Sequence, residues 1–164
     1  MSKLNRRQFS SIAATSLFAA SSNQVTRAQS ANEQLGVCIA GLNGRGGEHI
    51  RGFDKDPRTV IRAIVDIDEE VGARRADQIG KLQGKRPELF TDVRKALDAD
   101  GVDILSVATP NHWHALMGVW AMQAGKDVYV EKPVTHKLEE GPLLIEAQKR
   151  TGKAIQVGAQ QRSM

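Results

Sequence analysis

Leu35-Gly-Val-Cys-Ile-Ala-Gly-Leu-Asn-Gly-Arg-Gly-Gly47 is the stretch that decides the fold. An apolar, β-favouring run, Leu35–Ala40, passes without a break into a glycine-rich loop, Gly41–Gly47, and Glu48-His-Ile-Arg51 opens a helix behind it. Glycine at the end of a strand lets the chain turn sharply. Glycines at a helix start let a pyrophosphate reach unpaired backbone N–H groups and the positive end of the helix dipole. Gly41 and Gly46 match the first and third glycines of a G-x-G-x-x-G spacing, while Asn43 stands at the second position with Gly44 beside it. Asn tolerates a left-handed backbone, so the turn can still form, and its side chain is expected to crowd or hydrogen-bond the phosphates. Gly41, Asn43, Gly44, Arg45 and Gly46 are therefore the candidate pyrophosphate contacts. Asp66 closes the next β-rich run, 20 residues after Gly46. A carboxylate there accepts hydrogen bonds from the adenosine ribose and repels a 2′-phosphate, so the expected cofactor is NAD in preference to NADP.

Outward from this unit, β-rich runs alternate with segments of helical period. Strands are expected at 35–40, 60–66, 102–108, 127–131 and 154–157, with a short one near 88–91. Their apolar runs are continuous, as befits strands buried on both faces. Helices are placed by their punctuation over Asp92–Ala99, Asn111–Ala124 and Leu138–Arg150, with Gly101, Gly125 and Gly152 suited to left-handed C-terminal positions. Pro142 falls early enough in the last helix to be tolerated. In the middle helix, Trp113, Leu116, Met117, Trp120, Ala121 and Ala124 share a face that is expected to pack on the sheet. The fold class is α/β: a doubly wound, Rossmann-like parallel sheet.

The net charge of +4 is misleading as a hint of nucleic-acid binding. Residues 1–30 hold Lys3, Arg6, Arg7 and Arg27 and no acid, so the remaining 19 basic residues balance 19 acidic ones. The body has no basic stripe with interleaved aromatics, which argues against nucleic acid as a partner. No run of about 18 apolar residues is present, which argues against a stable membrane span. Cys38 is the only cysteine, set in an apolar run, and reads as a small buried hydrophobe. His112 and His114 do not make a metal pair, because positions i and i+2 of a helix point to nearly opposite sides, and no metal is expected. His49 and His136 are expected at the surface or at caps. The first 30 residues read as an export segment: a basic start, an apolar Ala/Ser-rich run at 9–20 and a polar end with small residues. Asn5-Arg6-Arg7-Gln8-Phe9 resembles the twin-arginine signal. That route carries folded, cofactor-loaded proteins, so the protein is expected in the periplasm.

Val107-Ala-Thr-Pro-Asn-His-Trp-His114 and Val128-Tyr-Val-Glu-Lys-Pro133 resemble two segments of the glucose–fructose oxidoreductase, inositol dehydrogenase and MocA family, Gfo/Idh/MocA. Gln156-Val-Gly-Ala-Gln-Gln-Arg-Ser163 is similar to that family's crossing into its second domain, so the resemblance covers residues 35–163. It implies an NAD(P)-dependent oxidoreductase. The first segment, by resemblance, lies over the cofactor through Thr109, Pro110, Asn111 and His114. The second contributes Glu131 and Lys132, with Lys132 beside the nicotinamide and the substrate as the candidate catalytic residue. A lysine beyond a strand end can hydrogen-bond a hydroxyl or carbonyl oxygen and assist proton transfer. Taken without the resemblance, Lys132 reads as a surface lysine before a turn proline.

The expected organisation is an export segment over 1–30, a dinucleotide-binding domain over 31–158 and, at 159–164, the start of a connection to a C-terminal substrate domain that is absent. In the family that second domain supplies most of the sugar pocket, the main acid/base residues and the oligomer face, so a small-molecule substrate and a homo-oligomer are expected with it. Two readings of different class remain: an exported oxidoreductase acting on a sugar, polyol or related hydroxy compound, or a non-catalytic dinucleotide-binding module or truncated remnant. Glycoside cleavage through transient NAD-mediated oxidation is a variation on the first.

Overall fold

The computed structural model describes residues 34–159. The expected export segment, 1–30, and all but Ala159 of the expected connection, 159–164, lie outside the described residues. Six strands, β1 (Leu35–Ala40), β2 (Thr59–Val65), β3 (Glu88–Phe90), β4 (Ile104–Val107), β5 (Asp127–Glu131) and β6 (Ile155–Gly158), form one sheet in the order β3-β2-β1-β4-β5-β6. Every pairing is parallel. The chain leaves β1 in one direction to build β2 and β3 and returns past it to build β4, β5 and β6. The switch between β1 and β4 opens a crevice at the carboxyl ends of the strands, where ligands bind in such sheets.

Helices cover both faces, which is why the strands read as unbroken apolar runs. Val37 and Ile39 of β1 join Leu42, Ile50, Ile61, Ile64, Val71, Ala76 and Ile79 in one core layer, beneath α1 (Gly46–Lys55) and α2 (Glu69–Gln83). Cys38 and Ala40 point the other way, into a layer with Val65, Leu105, Val107, Met122 and Val130, beneath α3 (Val93–Leu97), α4 (His114–Gln123) and α5 (Glu140–Thr151). Cys38 is fully buried as expected, and burial pushes its thiol up to about 12, so it stays protonated and inert. Arg62 occupies a central strand without burying charge, because Val37 pairs with Ile61 and Cys38 with Ala63, and the residue skipped between them is exposed.

The strands lie within a residue or two of the expected bounds, and Gly101, Gly125 and Gly152 take the left-handed conformation at φ 72°, 76° and 67°. The punctuation reading omits α2, although its signals are there: Asp68 accepts from Glu70 N and Val71 N at the N-terminus, and Gly84 ends the helix at φ 75°. The expected face of α4 also needs correction. Trp113 and Leu116 are exposed and Ala124 is not buried, while His114, Ala115, Met117, Gly118, Ala121 and Met122 are buried. A helix packed on the sheet and on α5 at once buries a stripe wider than, and rotated from, the one its largest side chains suggest. A short 3-10 turn, Asn111–Trp113, precedes it and swings the first tryptophan outward.

Candidate functional site

The turn out of β1 is built so that only glycine fits at two points. Gly41 has φ +84°, and a Cβ there would lie 2.7 Å from the Ala108 carbonyl oxygen. A Cβ on Gly46 would lie 1.9 Å from the carbonyl oxygen of Gly41. Gly44 is different: a Cβ there would meet nothing within 4 Å, so its bareness serves no contact within the protein. Among the described residues no non-glycine has positive φ, so Asn43 is not left-handed. Gly41 alone makes the reversal, which removes the conformational reason for Asn43. Leu42, between them, is held by both of its backbone groups. Its N–H donates to Asp66 Oδ2 at 2.8 Å, and its carbonyl accepts from Arg75 Nε at 3.1 Å. At the start of α1, Gly47 N donates to the Gly44 carbonyl at 3.1 Å, and Glu48 N and His49 N donate to the Arg45 carbonyl at 2.8 and 3.2 Å, which leaves the turn before the helix as the face open to a ligand.

Above the strand ends lies a cleft of about 780 Å³, within the range of small-molecule sites. Gly41, Asn43, Gly44, Asp66, Thr109 and Pro110 all line it, so six of the sequence-predicted residues converge there. The Asp66 carboxylate also accepts from Asp68 N at 3.1 Å, and each oxygen keeps capacity for a further donor such as a ribose hydroxyl. The far wall was not foreseen. It consists of Thr91, Asp92, Arg94, His112, Trp113, Met117 and Trp120. Arg94 stacks over Trp120 at 5.4 Å and pairs with Asp92 at 2.6 Å. The hydrogen bond from Arg94 holds the Asp92 carboxyl down at about 2. The aromatic flank offers flat apolar surface of the kind a purine ring stacks on.

The other predicted residues, Arg45, Gly46, Asn111, His114, Glu131 and Lys132, are not in that lining. Asn111 and Lys132 are exposed, Lys132 at the end of β5 before a cis bond to Pro133. His114 is 1 % exposed, with Nδ1 2.7 Å from the Pro133 carbonyl and Nε2 2.8 Å from the Thr109 carbonyl. It therefore ties the loop after β5 to the loop after β4 instead of facing the cleft. Arg45, its side chain half exposed, directs Nε and Nη2 to Glu131 Oε1 at 3.2 and 3.1 Å. That same oxygen lies 3.0 Å from His49 Nε2, and His49 Nδ1 lies 2.7 Å from Ser106 Oγ. The expectation of a surface or capping His49 is thus overturned: it is 6 % exposed, under α1 and against the sheet. Its spacing from Ile50 and Phe53 on one helix face was the available signal. His136 is exposed, as expected. Among the described residues no group of three His, Cys, Asp or Glu side chains converges on a metal position, and no helix is long and apolar enough to cross a membrane.

Comparison with known proteins agrees with this geometry. Alpha-N-acetylgalactosaminidase of Shewanella oneidensis is 31% identical over 125 residues, which cover 74% of this chain and 27% of that protein. The WlbA dehydrogenase of Chromobacterium violaceum, solved with NADH and UDP-GlcNAcA, superposes with TM-score 0.74 at 20% identity, over 80% of this chain and 37% of its own. GenD2 from gentamicin A biosynthesis, solved with NAD, gives TM-score 0.67 at 32% identity over 77% of this chain and 34% of its own. This chain thus spans about a quarter of the curated relative and about a third of the solved ones. The family model for the Gfo/Idh/MocA oxidoreductases, NAD-binding Rossmann fold, matches residues 35–159. That match runs from the first residue of β1 to the residue after β6, through the glycine turn and the strand-end cleft, and so the chain belongs to the Gfo/Idh/MocA oxidoreductase family and carries its NAD(P)-binding domain.

Proposed function

We propose that this is the cofactor domain of an exported oxidoreductase that transfers a hydride between the nicotinamide and a carbon of a sugar, polyol or related hydroxy compound. The observation that carries the reading is the convergence of Gly41, Gly44, Asp66 and Thr109 on one cleft at the carboxyl ends of the strands. Bound NAD(P) supplies the hydride acceptor. The glycine turn holds the pyrophosphate at the positive end of the α1 dipole, Asp66 orients the adenosine ribose, and the flank of Trp113 and Trp120 covers the base. Asp66 lies on the β2 side of β1 and Lys132 beyond β5 on the other, so a dinucleotide lying across the switch point brings its reactive end toward Lys132. Lys132 is exposed there with three rotatable donors, suited to hold a substrate oxygen and to exchange a proton with it. Export is supported by the acid-free, twin-arginine-like start of the chain.

A second reading, glycoside cleavage through transient oxidation of the sugar, is favoured by the likeness to the Shewanella galactosaminidase. Both readings begin with hydride removal from a sugar carbon. One experiment separates them: incubation of the NAD-loaded protein with free sugars, polyols and aryl glycosides, following absorbance at 340 nm and release of the aryl group. Net NADH formation supports the dehydrogenase; aryl release with no net NADH supports the glycosidase. Lys132→Met is expected to lower turnover at least tenfold with little change in cofactor affinity, since the lysine acts on the reacting oxygen. Unchanged turnover would return Lys132 to the role of a surface residue, and an equal loss of turnover and cofactor affinity would make it a cofactor contact.

A further inference from the structure

We propose that His49 is a positioning residue for the nicotinamide half of the cofactor: through Glu131 it locks the helix that meets the pyrophosphate to the strand end that carries Lys132. The inference rests on the dinucleotide assignment and not on hydride transfer.

The face of the sheet beneath α1 and α2 changes character at β4. On β1 and β2 it is lined by Val37, Ile39, Ile61 and Ile64, all buried and apolar. Beyond them the positions pointing to the same side are Ser106, Tyr129 and Glu131. Ser106 is 0 % exposed and Glu131 5 %, and His49 reaches down from α1 between them. Its ring meets Tyr129 edge-on, with centroids 5.4 Å apart. Buried polar groups at such a site are costly unless matched, and an aliphatic set would have packed the same space. A buried Ser–His–Glu row would serve nucleophilic chemistry only if substrate could reach the hydroxyl, and full burial of Ser106 denies that. What remains is position.

The hydrogen-bond roles follow from the donor inventory. An ionised Glu131 only accepts, so His49 Nε2 carries the proton toward Oε1. Nδ1 meets the Ser106 hydroxyl at 2.7 Å, a group that can donate to it or accept from it. Arg45 neutralises the same carboxylate from the solvent side, at the residue preceding α1. The groups facing the ring are thus Ser106, Tyr129 and Glu131, with Arg45 one contact further out. Glu131 immediately precedes Lys132, so a shift of its carboxylate is passed to the lysine backbone within one residue. Asp66, on the adenosine side across β1, is bonded instead to Leu42 N and Asp68 N.

The test compares NADH with ADP, which shares the adenosine and pyrophosphate but lacks the nicotinamide riboside. In His49→Asn the shorter amide can still meet Ser106 but not Glu131; in His49→Gln the amide nitrogen takes the place of Nε2. Calorimetric titration of the whole chain is expected to show NADH affinity lowered about tenfold in His49→Asn, ADP affinity changed less than about twofold, and His49→Gln within about threefold of wild type for both. Equal loss of NADH and ADP binding, or unchanged NADH binding in His49→Asn, overturns the proposal while leaving the cofactor assignment standing. Wild-type protein that binds neither ligand overturns the assignment itself. Long-range 15N–1H spectra of the wild-type chain give a reading that needs no variant: the expected tautomer has the proton on Nε2 of His49, and a proton on Nδ1 with Nε2 bare overturns the proposal.

Discussion

Gly44→Ala should separate folding from ligand binding in a single methyl group. The new Cβ meets no protein atom within 4 Å and the backbone is not in the left-handed region, so nothing in the folded chain resists it. Loss of glycine freedom from the unfolded state is worth about 0.4–1 kcal/mol, so stability should hold or rise slightly. The methyl group, however, adds bulk at a residue that lines the cleft, where the proposed pyrophosphate meets the turn. Displacing that group from one charge-assisted backbone hydrogen bond costs about 1.5–3 kcal/mol, which is roughly a 10- to 150-fold weaker Kd for NADH. The contrast is Gly41→Ala. There the side chain is forced into a φ of +84° and against the Ala108 carbonyl, and strain of about 1–2 kcal/mol adds to the displaced loop. That variant should melt lower, by about 2–4 °C for each kcal/mol, and lose binding as well. Thermal melts paired with calorimetric NADH titrations read both quantities. Gly44→Ala protein with wild-type NADH affinity would refute the placement of the pyrophosphate over this turn.

Asp66→Asn should narrow the preference for NAD over NADP by removing the charge that repels a 2′-phosphate, and should weaken the loop by losing one acceptor for Leu42 N or Asp68 N; tighter NADP than NAD binding by the wild type would reverse the assignment. The Asp92 carboxyl is held at about 2 against an ordinary value of 3.8, so its pairing with Arg94 stabilises the fold above about pH 4 and is lost as pH falls toward 2. Denaturant titrations of wild type and Asp92→Asn should therefore differ at pH 7 and converge near pH 2, and a constant gap would count against that linkage. Replacing Arg6 and Arg7 together by Lys should keep the protein in the cytoplasm, as read by fractionation; unchanged export would leave only a general secretory signal.

The strand ladder was readable because burial on both faces demands unbroken apolar runs, and Leu35–Ala40 and Asp127–Glu131 fall on the expected residues. The glycine turn and Asp66 were readable because a close backbone approach and a carboxylate at a strand end depend on few residues at short spacing. Side-chain direction on helices was less legible. Leu116 and Met117 are both apolar, yet one is 41 % exposed and the other 8 %, since α4 answers to the sheet and to α5 together.

By itself the sequence determined the layered α/β fold, the turn that only Gly41 permits and the acid that faces it, because these follow from local conformation and burial period. Only the tertiary structure decided what each of two buried histidines holds. From the sequence His49 is expected at the surface or a cap and His114 over the cofactor, and their partners lie as far as 82 residues away for His49 and 19 for His114. A buried imidazole takes its role from the groups that satisfy its two nitrogens. Those groups are brought together by strand order and helix packing, which no short window of sequence contains.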